Sequence, residues 1–166
     1  LLLQNEINDI EYLINKGYKK QLKICYNPAP MTEEVLSYPL EKLSVLIVNE
    51  IEAEALSKIK DPQLALAALS SKYPQTEIII TLGEEGSLYQ FHNTKYSIGA
   101  VQTKVVDTTS AGDTFIGYYL AQILQKAEVK KALEFASYAS ALCVSKKGAQ
   151  DSIPTHDEVL DFIKKH

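Results

Sequence analysis

Two short, mostly apolar runs rich in β-branched residues constrain the fold of this chain more than any other feature. Residues 45–48 are Val-Leu-Ile-Val, and residues 77–82 are Glu-Ile-Ile-Ile-Thr-Leu. A strand without alternation of apolar and polar residues is covered on both faces, which is typical of parallel sheets. The segments between such runs have helical spacing, so the chain predicts a three-layer α/β/α fold with a mainly parallel sheet, in the manner of Rossmann-like proteins.

The predicted elements follow one another without low-complexity linkers or repeats, and residues 1–166 are predicted to form one domain. Strands are expected at residues 1–4, 22–26, 45–48, 77–82, 87–91 and 95–98, with a further strand ending at Val105-Val106. Helices are expected at residues 7–16, 50–59, 62–73, 114–125, 129–144 and 155–165. Gly17 is predicted to stop the first helix, and Asp61 to cap the third. Ligands bind beyond the carboxyl ends of parallel strands, which indicates the loops after residues 26, 48, 82 and 106.

Composition and charge argue against several classes of function. The net charge of −4 disfavours nucleic acid as a partner, because a phosphate backbone requires a basic face. No apolar run approaches the roughly 20 residues of a membrane span. Cys25 and Cys143 lie in apolar stretches without metal-ligand spacing, which predicts reduced, buried thiols and a cytoplasmic location. The chain begins with Leu1 rather than Met, and we interpret it as part of a longer polypeptide.

The strongest local signal is the segment Asp107-Thr-Thr-Ser-Ala-Gly-Asp-Thr-Phe115. Consecutive N–H groups at a helix start bind anions, and small residues let a phosphate approach the backbone closely. Asp113 could cap the helix, or it could accept a proton from a substrate hydroxyl while the amides hold a phosphoryl group. Neither GxxxxGK[ST] nor GxGxxG is present, which excludes a P-loop and the dinucleotide fingerprint.

This segment resembles the signature of the ribokinase-like (PfkB) carbohydrate kinases. Four further motifs support the resemblance in the expected order: Asn27-Pro-Ala-Pro30, Asn49-Glu-Ile-Glu52, Thr81-Leu-Gly-Glu-Glu-Gly86 and Lys147-Gly-Ala-Gln-Asp-Ser-Ile-Pro154. The resemblance covers essentially the whole chain, but only the C-terminal half to three-fifths of a family member. It implies ATP-dependent phosphorylation of a sugar hydroxyl, with D-ribose as the favoured acceptor and with Mg²⁺ and a monovalent cation (K⁺) as cofactors. It also implies that the N-terminal part and the small β lid, through which such proteins form homodimers, are missing from this chain.

The resemblance assigns a role to each matching residue. Asp113 would be the catalytic base and would contact the substrate, and the amides of Ala111, Gly112 and Asp113 would form an anion hole. The nucleotide-binding positions would be Asn49, Thr81, Leu82, Gly83, Glu84, Gly86, Gly112 and Ser137, with Ser137 facing the adenine. Glu52 would help to place Mg²⁺ indirectly, and Glu6 would contact the sugar. The monovalent cation would be held, mostly by backbone atoms, at Asp107, Thr109, Cys143, Lys146, Gly148 and Ser152.

Several of these assignments have structural alternatives. Glu52 could lie on the polar side of a short helix with Glu50 and Glu54, and Ser137 could be a small residue packed between helices. Asp107 could end a strand with its carboxylate bound to loop amides, and Gly86 could be an ordinary turn residue.

Alternatives also stay open at the level of function. The chain could belong to another sugar or nucleoside kinase of the family, of the fructokinase or adenosine kinase type, or it could be a non-catalytic nucleotide-binding module. The part at hand is expected to be inactive alone, because most sugar contacts are missing. Ser110 stands where many relatives carry Gly, and three histidines match no functional position and are expected at the surface: His92, His156 and His166.

Overall fold

The computed structural model describes residues 1–165, and His166 lies outside the described residues. The chain divides into two compact units. Unit 1 comprises Leu1–Leu82 and Leu88–Ser97, and unit 2 comprises Gly83–Ser87 and the chain from Ile98 onward. The single domain over residues 1–166 stays a prediction.

Six strands within residues 1–165 form one sheet in sequential order: β1 (Leu2–Gln4), β2 (Cys25–Asn27), β3 (Val45–Asn49), β4 (Glu77–Thr81), β5 (Ser87–Phe91) and β6 (Thr94–Ile98). Strands β1 to β4 pair in parallel, with Leu2 opposite Cys25, Cys25 opposite Val45 and Val45 opposite Glu77. Only His92 and Asn93 join β5 to β6, a connection that suits an antiparallel hairpin. The α/β class and the mainly parallel sheet are confirmed.

Three helices belong to unit 1: α1 (Ile10–Lys19), α2 (Glu50–Ser57) and α3 (Pro62–Lys72). Asp61 caps α3 as predicted, because its Oδ1 accepts a hydrogen bond from the Leu64 N–H at 2.8 Å, and Pro62 occupies the first turn. Two short 3₁₀ helices, Glu33–Ser37 and Leu40–Lys42, precede β3. Apolar side chains from the strands and helices form the core of unit 1, among them Ile14, Leu46, Leu69, Ile78 and Ile80.

Unit 2 contains the helices α4 (Ala111–Leu124), α5 (Val129–Val144) and α6 (His156–Ile163), with 3₁₀ turns at Gly83–Glu85 and Gln150–Ser152. Helix α5 packs against both α4 and α6. Thr155 caps α6 by accepting the Glu158 N–H, while the Glu158 carboxylate accepts the Thr155 N–H. None of the helices in residues 1–165 is long and apolar enough to cross a membrane.

The predicted first helix is wrong at both ends. Helix α1 begins at Ile10 rather than at residue 7, and it continues through Gly17 to Lys19. Gly17 is buried, and a Cβ added there would lie 3.0 Å from Ile24 Cδ1 and 3.1 Å from Leu1 Cδ2. This glycine therefore permits close packing of α1 and does not stop the helix.

The expected strand at Val105-Val106 is also absent from residues 1–165. Both valines are exposed, and the N–H groups of Val106 and Asp107 donate to the Val144 carbonyl at 2.8 and 3.2 Å. The segment is bound to the end of α5 instead of to a sheet. Other bounds shift by one to three residues. Strand β2 is Cys25–Asn27 rather than residues 22–26, α4 begins at Ala111 rather than at Thr114, and α6 is His156–Ile163 rather than residues 155–165.

Both cysteines are buried and unbridged, as predicted. Burial raises the pKa of the Cys25 thiol to about 12, which leaves it unreactive at neutral pH. His92 and His156 are exposed, which confirms the surface position expected for them.

Candidate active site

The start of α4 in unit 2 carries the predicted base and anion hole. Ser110 precedes the helix in the left-handed region (φ 63°, ψ 9°), and its side chain makes no capping hydrogen bond. Asp113 lies in the first turn and is exposed, as is Gly112. A Cβ added at Gly112 would meet no atom within 4 Å, so the backbone is open to a ligand there. A helix of 14 residues with an uncapped, accessible start is suited to bind an anion.

One of the three predicted anion-hole amides already has a partner within the chain. The Ala111 N–H donates to the Thr108 carbonyl at 3.2 Å. The N–H groups of Gly112 and Asp113 stay predicted members of the anion hole.

Asp107 orders the loop before α4. Its Oδ1 accepts the Thr109 N–H at 2.9 Å, and its Oδ2 accepts the Gly148 N–H at 3.1 Å. Hydrogen bonds from the Thr109 side chain and N–H and from the Gly148 N–H hold the pKa of Asp107 at about 2. Asp107 thus binds loop amides, as the structural alternative proposed, although no strand ends there.

The residues assigned to the monovalent cation lie together in unit 2. The Cys143 thiol is 3.8 Å from the Thr109 carbonyl and 3.3 Å from the Ser152 hydroxyl. Ser152 is fully buried and donates to the Ala149 carbonyl at 2.6 Å. The Lys146 N–H donates to the Cys143 carbonyl at 3.0 Å. The structure brings these residues together, and their role in holding a cation stays a prediction.

Side-chain contacts fix the loop after α5. The Lys146 ammonium lies 2.8 Å from Glu158 Oε1, and the bonds from Lys146 and then Thr155 lower the pKa of Glu158 to about 2. Gly148 has φ 106°, a backbone conformation that favours glycine.

Asn49 and Glu52 form the start of α2 in unit 1. Asn49 Oδ1 accepts the Glu52 N–H at 2.9 Å, and Glu52 Oε2 accepts the Asn49 N–H at 2.9 Å, which completes a capping box. Glu52 is 4% exposed, whereas Glu50 and Glu54 are exposed, so Glu52 does not lie on the polar side of the helix. Burial raises the pKa of Glu52 above its usual range, against the opposing hydrogen bond from Asn49.

The residues from Thr81 to Gly86 follow β4. The Thr81 hydroxyl donates to the Val48 carbonyl at 3.4 Å, and Leu82 is buried. Gly83 (φ 53°) and Glu84 are exposed, and their role in a nucleotide-binding turn stays a prediction. Gly86 has φ 101°, and a Cβ added there would collide with the Ile98 carbonyl, so the turn itself requires glycine.

Two other assigned residues have distinct environments. Glu6 is exposed two residues beyond β1. Ser137 is buried in α5, where its hydroxyl donates to the Leu133 carbonyl at 3.0 Å. That environment is the one described by the packed-residue alternative, and contact of Ser137 with adenine stays a prediction.

Sequence reasoning missed a buried amide at the end of β2. Asn27 Nδ2 donates to the Ile47 carbonyl at 2.9 Å, and Asn27 Oδ1 accepts from Gln4 Nε2 at 3.3 Å. Asn27 is 8% exposed. The signal in the sequence was an asparagine directly before a proline at the end of an apolar strand. Proline has no N–H, so a side chain beside it can supply the missing hydrogen-bond donor to the neighbouring strand.

The described residues contain no group of three or more His, Cys, Asp or Glu side chains that could hold a metal ion by themselves. Mg²⁺ commonly keeps several waters and binds through one or two carboxylates together with phosphates of the substrate. The single carboxylate of Glu52 fits that chemistry.

The mainly parallel sheet and its helices define an α/β protein, a class in which ligands commonly bind at helix starts and beyond the carboxyl ends of strands. The chain belongs to the pfkB family of carbohydrate kinases, whose model matches residues 9–156. It is 32% identical over 169 residues to the ribokinase of Haemophilus influenzae, a match that covers 98% of the chain and 54% of that relative. A deoxyribokinase of Salmonella typhi is 29% identical over 168 residues, covering 98% of the chain and 55% of that relative.

The chain is also similar to solved structures of ribokinases. The chain superposes on the ribokinase of Cryptococcus neoformans in complex with ADP with a TM-score of 0.86 at 30% identity, over 97% of the chain and 59% of that structure. The ribokinase of Arabidopsis thaliana complexed with ribose and ATP gives a TM-score of 0.83 at 27% identity, over 98% and 55%. The chain spans about half the length of the curated relatives it matches.

Proposed function

We propose that this chain is the nucleotide-binding part of an ATP-dependent sugar kinase, and that the complete polypeptide transfers the γ-phosphoryl group of ATP to a hydroxyl of D-ribose, giving D-ribose 5-phosphate. The observation that carries the proposal is the open start of α4, where Gly112 leaves the backbone accessible and Asp113 is exposed in the first turn. Membership of the carbohydrate kinase family and likeness to ribokinases support the choice of acceptor.

The proposed chemistry uses one carboxylate and two amides. Asp113 accepts the proton of the sugar hydroxyl as the hydroxyl oxygen forms a bond to the γ-phosphorus, and the bond from that phosphorus to the bridging oxygen of ADP breaks. The N–H groups of Gly112 and Asp113 donate to the oxygens of the group in transfer, with the positive end of α4 directed at it. The proton on Asp113 then passes to solvent.

Residues beyond α4 have supporting roles in the proposal. Bound Mg²⁺ would neutralise phosphate charge, and Asn49 and Glu52 are the residues proposed to place it. The loop anchored by Asp107 keeps the start of α4 in shape, and a monovalent cation held near Thr109, Cys143 and Ser152 would stiffen it further. The buried, unbridged cysteines support a cytoplasmic location.

The test is release of ADP by the complete polypeptide, supplied with MgATP and one acceptor at a time, with and without K⁺. The proposal expects ribose-dependent release that K⁺ enhances and that Asp113→Asn lowers by about 10²–10⁴. The chain alone is expected to bind MgADP without turnover. Release with deoxyribose, fructose or a nucleoside, but not with ribose, would keep the mechanism and change the acceptor; the deoxyribokinase relative favours the first of these. Absence of ADP release with every acceptor would contradict the proposed kinase activity and favour a non-catalytic nucleotide-binding module.

A further inference from the structure

The parallel ladder between β2 and β3 is interrupted at a proline. The Val45 N–H donates to the Ile24 carbonyl at 3.0 Å. In a parallel ladder, one residue bonds through its N–H and its carbonyl to two residues of the neighbouring strand, and this pattern recurs at every second residue. Because Val45 pairs with Cys25, the register makes the N–H of residue 28 the partner of the Ile47 carbonyl. That residue is Pro28, which has no N–H. The Asn27 side chain supplies the missing donor, since its Nδ2 lies 2.9 Å from the Ile47 oxygen.

The same amide also reaches the strand on the other side. Gln4 is the register partner of Asn27 in β1, and its Nε2 donates to Asn27 Oδ1 at 3.3 Å. Asn27 therefore links the carboxyl ends of three neighbouring strands. A buried amide that satisfies both its donor and its acceptor in this way fixes side chain and backbone together.

The linked backbone leads directly into the start of α2. Ile47 precedes Asn49 by two residues, and Asn49 is both the last residue of β3 and the N-cap of α2. We propose that Asn27 is a positioning residue: by holding the Ile47 carbonyl where Pro28 cannot, it sets the position of Asn49 and of the Asn49–Glu52 capping box toward the nucleotide. This inference rests on the proposed function, because it assigns Asn27 to the site that binds MgATP.

The chain offers a matched control at the opposite end of the same strand. The Thr76 hydroxyl, which is 1% exposed, donates to the Leu43 carbonyl at 3.0 Å, just before β3 begins. Thr76→Val and Asn27→Leu each remove one buried side-chain donor from a carbonyl in or next to β3. Both variants are expected to lower the Tm to a similar degree. Only Asn27→Leu acts at the carboxyl end, where Asn49 lies.

The test measures MgADP affinity by calorimetry and amide hydrogen exchange at Asn49 and Glu52 without nucleotide, in the full chain. We expect Asn27→Leu to weaken MgADP binding about tenfold and to speed exchange at the Asn49 amide, while Thr76→Val changes neither. The double variant Asn27→Leu/Pro28→Ala returns a main-chain N–H to the ladder and is expected to recover part of both losses.

Three results would overturn the inference. They are unchanged affinity and exchange in Asn27→Leu, an equal loss of affinity in Thr76→Val, and no recovery in the double variant. A wild-type chain that does not bind MgADP would contradict the proposed function instead, and hydrogen exchange at Asn49 in the same three variants would then decide the role of Asn27 alone.

Discussion

The first turn of α2 and the first turn of α4 differ in how their N–H groups are satisfied. Helix α2 begins with a complete capping box, in which Asn49 and Glu52 accept each other's N–H groups. Helix α4 begins after a left-handed Ser110 that provides no side-chain cap, and its first turn is accessible at Gly112 and Asp113. Within unit 2, α6 has a capping box of its own, whereas α5 begins after Glu128 without a side-chain cap.

The difference separates stability from ligand binding. A capped start needs no ligand, and the box at α2 contributes stability on its own. An uncapped start preceded by a non-glycine residue in the left-handed region costs about 1–2 kcal/mol, and it persists only where the surroundings hold it. Asp107 provides that support through its bonds to Thr109 and Gly148. A bound anion is therefore expected to stabilise the first turn of α4 more than that of α2. Variants at each of the two helix starts can test this comparison.

The largest effect is expected from Asp113→Asn. The variant keeps the shape of the side chain and removes its basicity, so turnover by the complete polypeptide should fall by about 10²–10⁴ while MgADP binding is retained. The control is Asp157→Asn, which removes a first-turn carboxylate from α6. That variant should leave turnover unchanged. Equal activity of the Asp113 variant and the wild type would remove Asp113 from the role of base.

The next effect is expected from Gly112→Ala, which places a methyl group where a phosphate would approach. The fold has room for it, since no atom lies within 4 Å of the added Cβ. Because the proposed contact is with the γ-phosphoryl group, the loss of one charge-assisted hydrogen bond, about 1.5–3 kcal/mol, would weaken binding of MgATP by the chain about 10- to 100-fold. Gly117→Ala on the same helix meets no atom within 4 Å either and is the control. Undiminished MgATP affinity in Gly112→Ala would place the γ-phosphoryl group elsewhere.

The parts of the fold that sequence predicted well are those decided locally. The runs at residues 45–48 and 77–82 admit one interpretation, because continuous β-branched residues suit a strand covered on both faces. Val105-Val106 shows the same local preference and forms no strand. The N–H groups of Val106 and Asp107 donate instead to the carbonyl of Val144, almost forty residues away in sequence. Gly17 was misassigned for a similar reason: its role depends on packing against Ile24 and Leu1.

In the candidate site, too, features decided by local sequence could be predicted, and features that depend on distant contacts could not. Motifs placed Gly112 and Asp113 at a helix start, and the structure has them in the first turn of α4. The reciprocal hydrogen bonds of Asn49 and Glu52 could have been predicted from the Asn-x-x-Glu spacing, which fits a capping box, whereas the burial of Glu52 could not. The Asn27-Pro28 pair was visible in the sequence, but the partners of Asn27 were not, because the bridge from Gln4 through Asn27 to Ile47 depends on the pairing of strands some twenty residues apart.

A smaller effect, on stability, is expected at α2. Asn49→Ala removes the cap and should lower the free energy of unfolding by about 1 kcal/mol, or the Tm by about 2–4 °C. Thr155→Ala is the matched control, because it removes the N-cap of the other capping box. The two variants should lose similar stability in thermal unfolding, and only Asn49→Ala should weaken MgADP binding. Equal MgADP affinity in both would limit Asn49 to capping.

The smallest effect concerns the loop that supports α4. The pKa of Asp107 falls from 3.8 to about 2 in the folded chain, so the folded state favours the ionised form. The stability that this carboxylate contributes is present above its unfolded pKa and is lost as the pH falls from about 4 to about 2. The amide NMR signals of Thr109 and Gly148 should titrate in that window, and Asp107→Asn should abolish the titration. Glu158→Gln, which removes the other carboxylate with a pKa of about 2, should leave both signals titrating as in the wild type. Amides that shift only with Glu158 would show that Asp107 does not hold this loop, and the open start of α4 would then need another source of order.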